Sequence, residues 1–92
     1  MKDSIEQPII SNAIIRANTH YYEYQDALKL VELCRKNGVQ VLGVDSFIIT
    51  ETTTQPFMEH SIDLSYCENS HEKAKDFIYQ KRKCGFRFEV VY

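Results

Sequence analysis

The best set of residues for chemistry is Glu59, His60 and Asp63, which combines an imidazole with two carboxylates. Such a set can transfer protons or bind a metal ion. Alternating polar and apolar residues predict a strand over 61–66, and a strand points successive side chains to opposite faces. His60 and Asp63 are an odd number of positions apart, so the strand separates them, and no third ligand is apparent. We therefore interpret these residues as a polar recognition strand.

A second pair, Cys67 and His71, has the spacing for two of the four ligands of a zinc ion, but no further pair completes the site. The three cysteines are an odd number and match no CxxC motif, which is typical of reduced thiols. No glycine-rich phosphate loop or nucleophile motif occurs. The sequence therefore predicts no catalytic residue, no metal, no cofactor and no enzymatic activity.

Charge is divided sharply along the chain. The acidic segment, residues 45–72, carries six carboxylates and no Lys or Arg. The basic segment, residues 73–87, carries six cations and Asp76 alone. The six carboxylates are Asp45, Glu51, Glu59, Asp63, Glu68 and Glu72. A surface of one sign acts on binding partners rather than on the fold, so this division predicts recognition.

The basic segment offers an alternative, because it mixes cations with Phe77, Tyr79 and Phe86 as nucleic-acid-binding modules do. Against this, Phe77 belongs to the apolar stripe of a predicted helix, and the formal net charge of the chain is −2. Cations at the end of a helix also stabilise that helix through its dipole. Nucleic acid therefore stays a rival partner and not the favoured one.

Ninety-two residues predict one domain, 1–92. No apolar run is long enough to cross a membrane, and the charged start does not resemble a signal peptide. We expect a cytoplasmic protein without a membrane partner.

Hydrophobic periodicity predicts a core over 24–92 with the order helix, strand, strand, helix, strand. The predicted elements are a helix ending before Gly38, a strand over 39–49, a loop or hairpin tip over 50–56, a strand over 61–66, a helix from Asn69 to Lys83 with a capping box to Glu72, and a strand over 86–92. This order predicts an α+β fold: a small mixed or antiparallel sheet of three to four strands with two main helices packed on it.

The N-terminal segment, 1–23, is ambiguous. Residues 5–17 have helical spacing, whereas 12–16 fits an edge strand equally well. His20 and the following tyrosines favour packing over a site. The last strand would pair with a second copy if it lay at a sheet edge, so a homodimer stays open.

Three stretches resemble the small immunity proteins of bacterial contact-dependent inhibition and polymorphic-toxin systems. Residues 27–45 read ALxxVELCxxxGVxVLGVD, residues 54–63 read TQPxxExSID, and residues 85–92 read GFxFEVVY. The resemblance covers about residues 24–92, and residues 1–23 match no pattern of that family.

The resemblance implies that the chain binds and neutralises the C-terminal toxin domain of a secreted effector without doing chemistry. Many such toxins are basic nucleases, which an acidic surface attracts. The expected charged contacts are Asp45, Glu51, Glu59, Asp63 and Glu68. The expected apolar anchors are Phe57, Met58 and Tyr66, for which core packing is the alternative. A regulatory adaptor is a further alternative.

Overall fold

The computed structural model describes residues 2–92. These residues form helices and antiparallel strands joined by loops. In chain order these are α1 (Lys2–Glu6), a 3-10 turn (Ile10–Asn12), β1 (Ile14–Arg16), β2 (Thr19–Tyr21), α2 (Tyr24–Lys36), β3 (Gly43–Ile49), β4 (Thr54–Asp63), α3 (Ser70–Gln80) and β5 (Arg87–Val91). Within residues 2–92, no helix combines the length and the apolar character needed to cross a membrane.

The main sheet has the order β4-β3-β5 and is antiparallel throughout. α2 and α3 pack against each other, and they contact β5 and β3, respectively. The prediction of an α+β fold, with two main helices on a small sheet, is confirmed. A second sheet, the β1-β2 hairpin, lies in the segment whose structure the sequence left ambiguous.

The core lies between the two helices and one face of the sheet. α2 buries a stripe at helical spacing, and α3 and the sheet supply the opposing side chains. The fully buried members include Ala27, Leu30, Val31, Cys34, Val44, Ala74, Ile78 and Phe88. Burying each of the larger side chains stabilises the fold by about 1.5–3 kcal/mol. Burial also raises the pKa of the Cys34 thiol to about 11, so this cysteine is an inert core residue.

The N-terminal hairpin turns through Ala17 and Asn18, which both have positive φ angles of 50° and 64°. Two consecutive left-handed residues are the requirement of a type I′ turn, which suits the twist of a two-residue hairpin. The alternative of an edge strand over 12–16 is confirmed for Ile14–Arg16, and Ile10–Asn12 forms the 3-10 turn. Beyond β2, the Tyr22 and Phe88 backbones exchange two hydrogen bonds, so the hairpin extends the main sheet past β5.

The pairing of Tyr22 with Phe88 weakens the expectation that the last strand pairs with a second copy of the chain. At Phe88, β5 lies between β3 and Tyr22, so this part of the last strand is not a free edge for a second copy. The free edge of the sheet is β4.

β4 is longer than predicted. It begins at Thr54, and the polar loop shrinks to residues 50–53. The prediction of a strand over 61–66 is therefore wrong at both ends. Pro56 does not exclude a strand here, because an edge strand has one row of N–H groups without a partner. In contrast, the β3 strand is shorter than predicted and begins at Gly43 rather than at Val39.

α3 begins after Asn69, but no side-chain capping bond forms there, so the predicted capping box is wrong. The helix ends at Gln80, and Lys81 and Lys83 follow it. Gly85 then has a φ of +76°, as a glycine that reverses the chain requires.

Candidate functional site

The six carboxylates of the acidic segment form no ion pair with any side chain that the structure describes. The basic segment behaves differently. Lys75 lies 3.1 Å from Glu32, and Arg87 lies 3.3 Å from Glu23. Lys81 and Arg82 lie over the aromatic rings of Phe77 and Tyr79, at 5.3 and 3.8 Å from the ring centroids. The fold therefore partly satisfies its cations and leaves these carboxylates available at the surface.

A wide bulge in β4 presents part of the acidic segment. Val44 pairs with Ile62 and Ser46 pairs with Phe57, so the single residue Asp45 lies opposite four residues, 58–61. A bulge bends its strand and re-aims the side chains that it carries. Within this bulge Met58 is 76% exposed, and Glu59 is exposed beside it.

The sheet face that points away from α2 and α3 concentrates negative charge. Val44 and Ser46 are buried on the helix side, so alternation places Asp45 on the opposite face. Asp45 lies directly across from Glu89 in β5. Asp63 lies across from Gly43, two positions before Asp45 in β3. Asp45, Asp63 and Glu89 thus share one face, which we call the acidic face.

The remaining predicted contacts lie further along the chain. Tyr66 is 97% exposed in the loop after β4, with Glu68 exposed close to it. Both border a shallow depression of about 530 Å³, next to His71, whose Nε2 lies 2.7 Å from the Val39 carbonyl oxygen. Glu51 lies in the turn between β3 and β4, at the other end of the sheet.

Phe57 differs from the other two predicted anchors. Its half-buried ring lies 5.6 Å from the Phe86 ring, so it packs within the protein. The structure brings together Asp45, Met58, Glu59 and Asp63 around the bulge, while Tyr66 and Glu68 lie in the following loop and Glu51 lies apart.

The proton transfer or metal binding considered for His60 in the sequence has no geometric support in the structure. Its ring lies 5.1 Å from that of Phe86, and its Nδ1 is buried without a partner in residues 2–92. The described residues contain no group of three or more His, Cys, Asp or Glu side chains placed to hold a metal ion. Asp63 instead accepts hydrogen bonds from the hydroxyl and backbone N–H of Ser65, which hold the pKa of Asp63 below its usual range.

Sequence reasoning missed a buried polar site centred on Glu6. This carboxylate is buried, with its side chain only 4% exposed. It accepts hydrogen bonds from the Tyr22 and Tyr92 hydroxyls, and its Oε1 lies 2.8 Å from Nδ1 of His20. The cluster joins α1 to β2 and to the end of β5. We call these four residues the Glu6 cluster.

Burial raises the pKa of Glu6, but the hydrogen bonds from Tyr22, Tyr92 and His20 together lower it more, and it ends below 4.5. Glu6 is therefore ionised at neutral pH. Burial and the bond to Glu6 raise the pKa of Tyr92, so that phenol stays a donor. The sequence signal for this site is the run of His20 and tyrosines at 20–24, which by itself favours structural packing over a functional site.

Comparison with known proteins gives no match to a family model, to a curated protein or to a solved structure. The resemblance to immunity proteins therefore stays a prediction, and the geometry of the surface carries the functional argument.

Proposed function

We propose that the chain is an immunity-type binding protein that neutralises a basic toxin domain, with a nuclease as the expected target. The acidic face and the β4 bulge form the binding surface, with Asp45, Glu59 and Asp63 as its charged contacts. The observation that carries the proposal is the set of six carboxylates without an ion pair in the described chain, beside a basic segment whose cations are largely engaged.

Two exposed side chains supply the apolar part of this surface. Met58 and Tyr66 are 76% and 97% exposed. Binding hot spots favour large side chains that fill a pocket on the partner, whereas charges at the rim mainly raise the association rate. Methionine also adapts to irregular surfaces. We therefore assign the affinity to Met58 and Tyr66 and the partner selection to the carboxylates.

The proposed recognition uses side chains rather than added strands. β4 is the free edge, but Pro56 has no N–H group to donate, and the bulge at 58–61 interrupts the edge. Proline and bulges are ways in which edge strands avoid pairing with other chains. We therefore expect a partner to contact the side chains of the bulge and not to add a strand to the edge of β4.

The proposed site of action is the cytoplasm of the cell that makes the protein. Cys34, Cys67 and Cys84 are all free, as is usual in a reducing compartment.

The direct test is co-expression with the C-terminal domain of the protein encoded immediately upstream. We expect the chain to restore growth and to co-purify with that domain in a stable complex. The matched control carries Asp76→Lys, a charge reversal at an exposed position of α3 that forms no ion pair with the described side chains. Growth arrest with no complex would contradict the proposal. Binding of RNA or DNA with a steep salt dependence would instead support the rival that uses the basic segment.

A further inference from the structure

A polar cleft of about 460 Å³ opens at the end of β5. Tyr22 covers the outer edge of β5 at Phe88, and the cleft begins just beyond, at Glu89 and Val90. Asn18 of the β1-β2 turn and Thr19, the first residue of β2, also line the cleft. The volume lies within the usual range for sites that enclose a small ligand or a large side chain.

The Glu6 carboxylate lies in the wall of this cleft. A carboxylate has about four acceptor positions. The Glu6 cluster fills three of them, through Tyr22, His20 and Tyr92. One acceptor position is left on an ionised group that is almost fully buried, and buried charges in proteins are normally balanced by a partner of opposite charge. Among the described lining residues that partner is the His20 imidazole, which carries a positive charge only when it is protonated.

The described lining residues include no Lys or Arg. Asn18 and Thr19 also line the cleft, and their side chains carry an amide and a hydroxyl oxygen that can accept hydrogen bonds. Several acceptors around an ionised carboxylate suit a cation with several donors. A guanidinium has five N–H donors in a fixed plane, whereas an ammonium has three around a point charge.

We infer that this cleft is a binding site for a guanidinium group, and that its occupant is an arginine side chain of the protein partner. The identity of the occupant rests on the proposed function. The cleft is also continuous with the acidic face, because Glu89 of its lining lies directly opposite Asp45. A basic partner on the acidic face would therefore have the mouth of the cleft within reach.

The first test needs no toxin. The full chain is titrated with ethylguanidinium chloride and followed by two-dimensional NMR, with sodium chloride at equal ionic strength as the control. We expect saturable shifts confined to Glu6, His20, Thr19 and Tyr92. Glu6→Gln, which keeps the shape and removes the charge, should weaken binding of the probe by about tenfold or more.

A second variant guards against a folding defect in Glu6→Gln. Thr19→Arg places a guanidinium at the cleft from the half-buried first residue of β2, so it should block the probe without loss of structure. Asp76→Asn is the matched control, because it removes a carboxylate from an exposed position of α3 that does not line the cleft, and it should bind the probe as well as the parent protein does.

Shifts that do not saturate, or equal binding in Glu6→Gln and the parent, would overturn the inference. Affinity for the toxin domain separates this inference from the proposed function. Unchanged toxin affinity in Thr19→Arg would overturn the role of the cleft in partner binding and leave the proposed function standing. Failure of the parent protein to bind any toxin domain would overturn the proposed function, while the probe titration would still decide whether the cleft takes a guanidinium.

Discussion

The Glu6 cluster and the acidic face use the same functional group in opposite ways. Glu6 is buried and accepts three hydrogen bonds from side chains of other elements. Asp45, Glu59 and Asp63 lie at the surface, and among the described residues only Ser65 donates a side-chain bond to any of them, at Asp63. The first arrangement stabilises the fold, and the second leaves negative charge at the surface, where we propose that a partner binds.

The contrast teaches that the number of carboxylates in a segment says little about their contribution to stability. A buried carboxylate must be satisfied, because an unpaired buried charge costs several kcal/mol. An exposed carboxylate is already solvated by water, so it adds little to folding whether or not it has a partner. We therefore expect the Glu6 carboxylate to contribute more to the stability of the fold than the six carboxylates of the acidic segment do.

The largest effect should come from Glu6→Ala. It removes the carboxylate and leaves two phenols and an imidazole without their acceptor, so we expect a loss of about 3 kcal/mol of unfolding free energy. Chemical denaturation of this variant and of Glu59→Ala measures the difference. Equal stability of the two variants would remove the contrast between the two regions.

Acid should affect the two regions unequally. The pKa of Glu6 is lower in the folded chain than its ordinary value of 4.5, so its contribution is fully present above pH 4.5 and is lost as the pH falls through the folded-state pKa. The stability difference between the parent protein and Glu6→Gln should therefore be largest at neutral pH and shrink below 4.5. Thermal melts between pH 7 and pH 3 measure this.

Asp63→Asn is the control for that experiment. The pKa of Asp63 is also lowered, by hydrogen bonds from Ser65, but this residue is exposed, so we expect Asp63→Asn to change the acid dependence less than Glu6→Gln does. Glu32, with a pKa lowered to about 2 by hydrogen bonds from Arg35 and Lys75, titrates alike in all three proteins. A constant gap between the parent and Glu6→Gln would contradict the assignment.

Charge reversal should affect binding and not folding. Glu59→Lys with Asp63→Lys should leave the melting temperature nearly unchanged and weaken toxin binding by about tenfold or more, because cations would then face a basic partner. Isothermal titration with the co-purified toxin domain gives the affinity. An unchanged affinity would place the interface elsewhere.

The smallest effect on stability should come from removing a buried hydroxyl that, unlike the Glu6 carboxylate, has no hydrogen-bond partner among the described residues. Ser46 is fully buried, and its Oγ has no partner in the described chain. Ser46→Ala should therefore be neutral or stabilise the fold by about 0.5 kcal/mol, since an unsatisfied polar group is removed. Ser61→Ala is the matched control, because it breaks a 3.2 Å bond to the Phe57 carbonyl and should destabilise the bulge. A clear loss of stability in Ser46→Ala would show that this hydroxyl is satisfied.

Local patterns sufficed to predict most of the core. The stripe of α2 and the glycine after it identified the helix, and Gly38 has the expected left-handed φ of +69°. The sequence also shows the division of charge between the acidic and basic segments, which led to the candidate contact residues around 59–63. These features depend on residues within a few positions of one another, so the sequence displays them directly.

Long-range contacts set the rest. β4 begins at Thr54 because β3 pairs with it across a four-residue turn, and its bulge depends on the register on both sides of Asp45. Glu6 is buried because Tyr22, 16 positions away, and Tyr92, 86 positions away, converge on it. By itself the sequence determined the fold class, the main helices and the separation of charge, since each follows from local spacing. Only the tertiary structure decided which carboxylate is buried and which ones lie at the surface without an ion pair among the described residues, because that depends on residues that folding alone brings together.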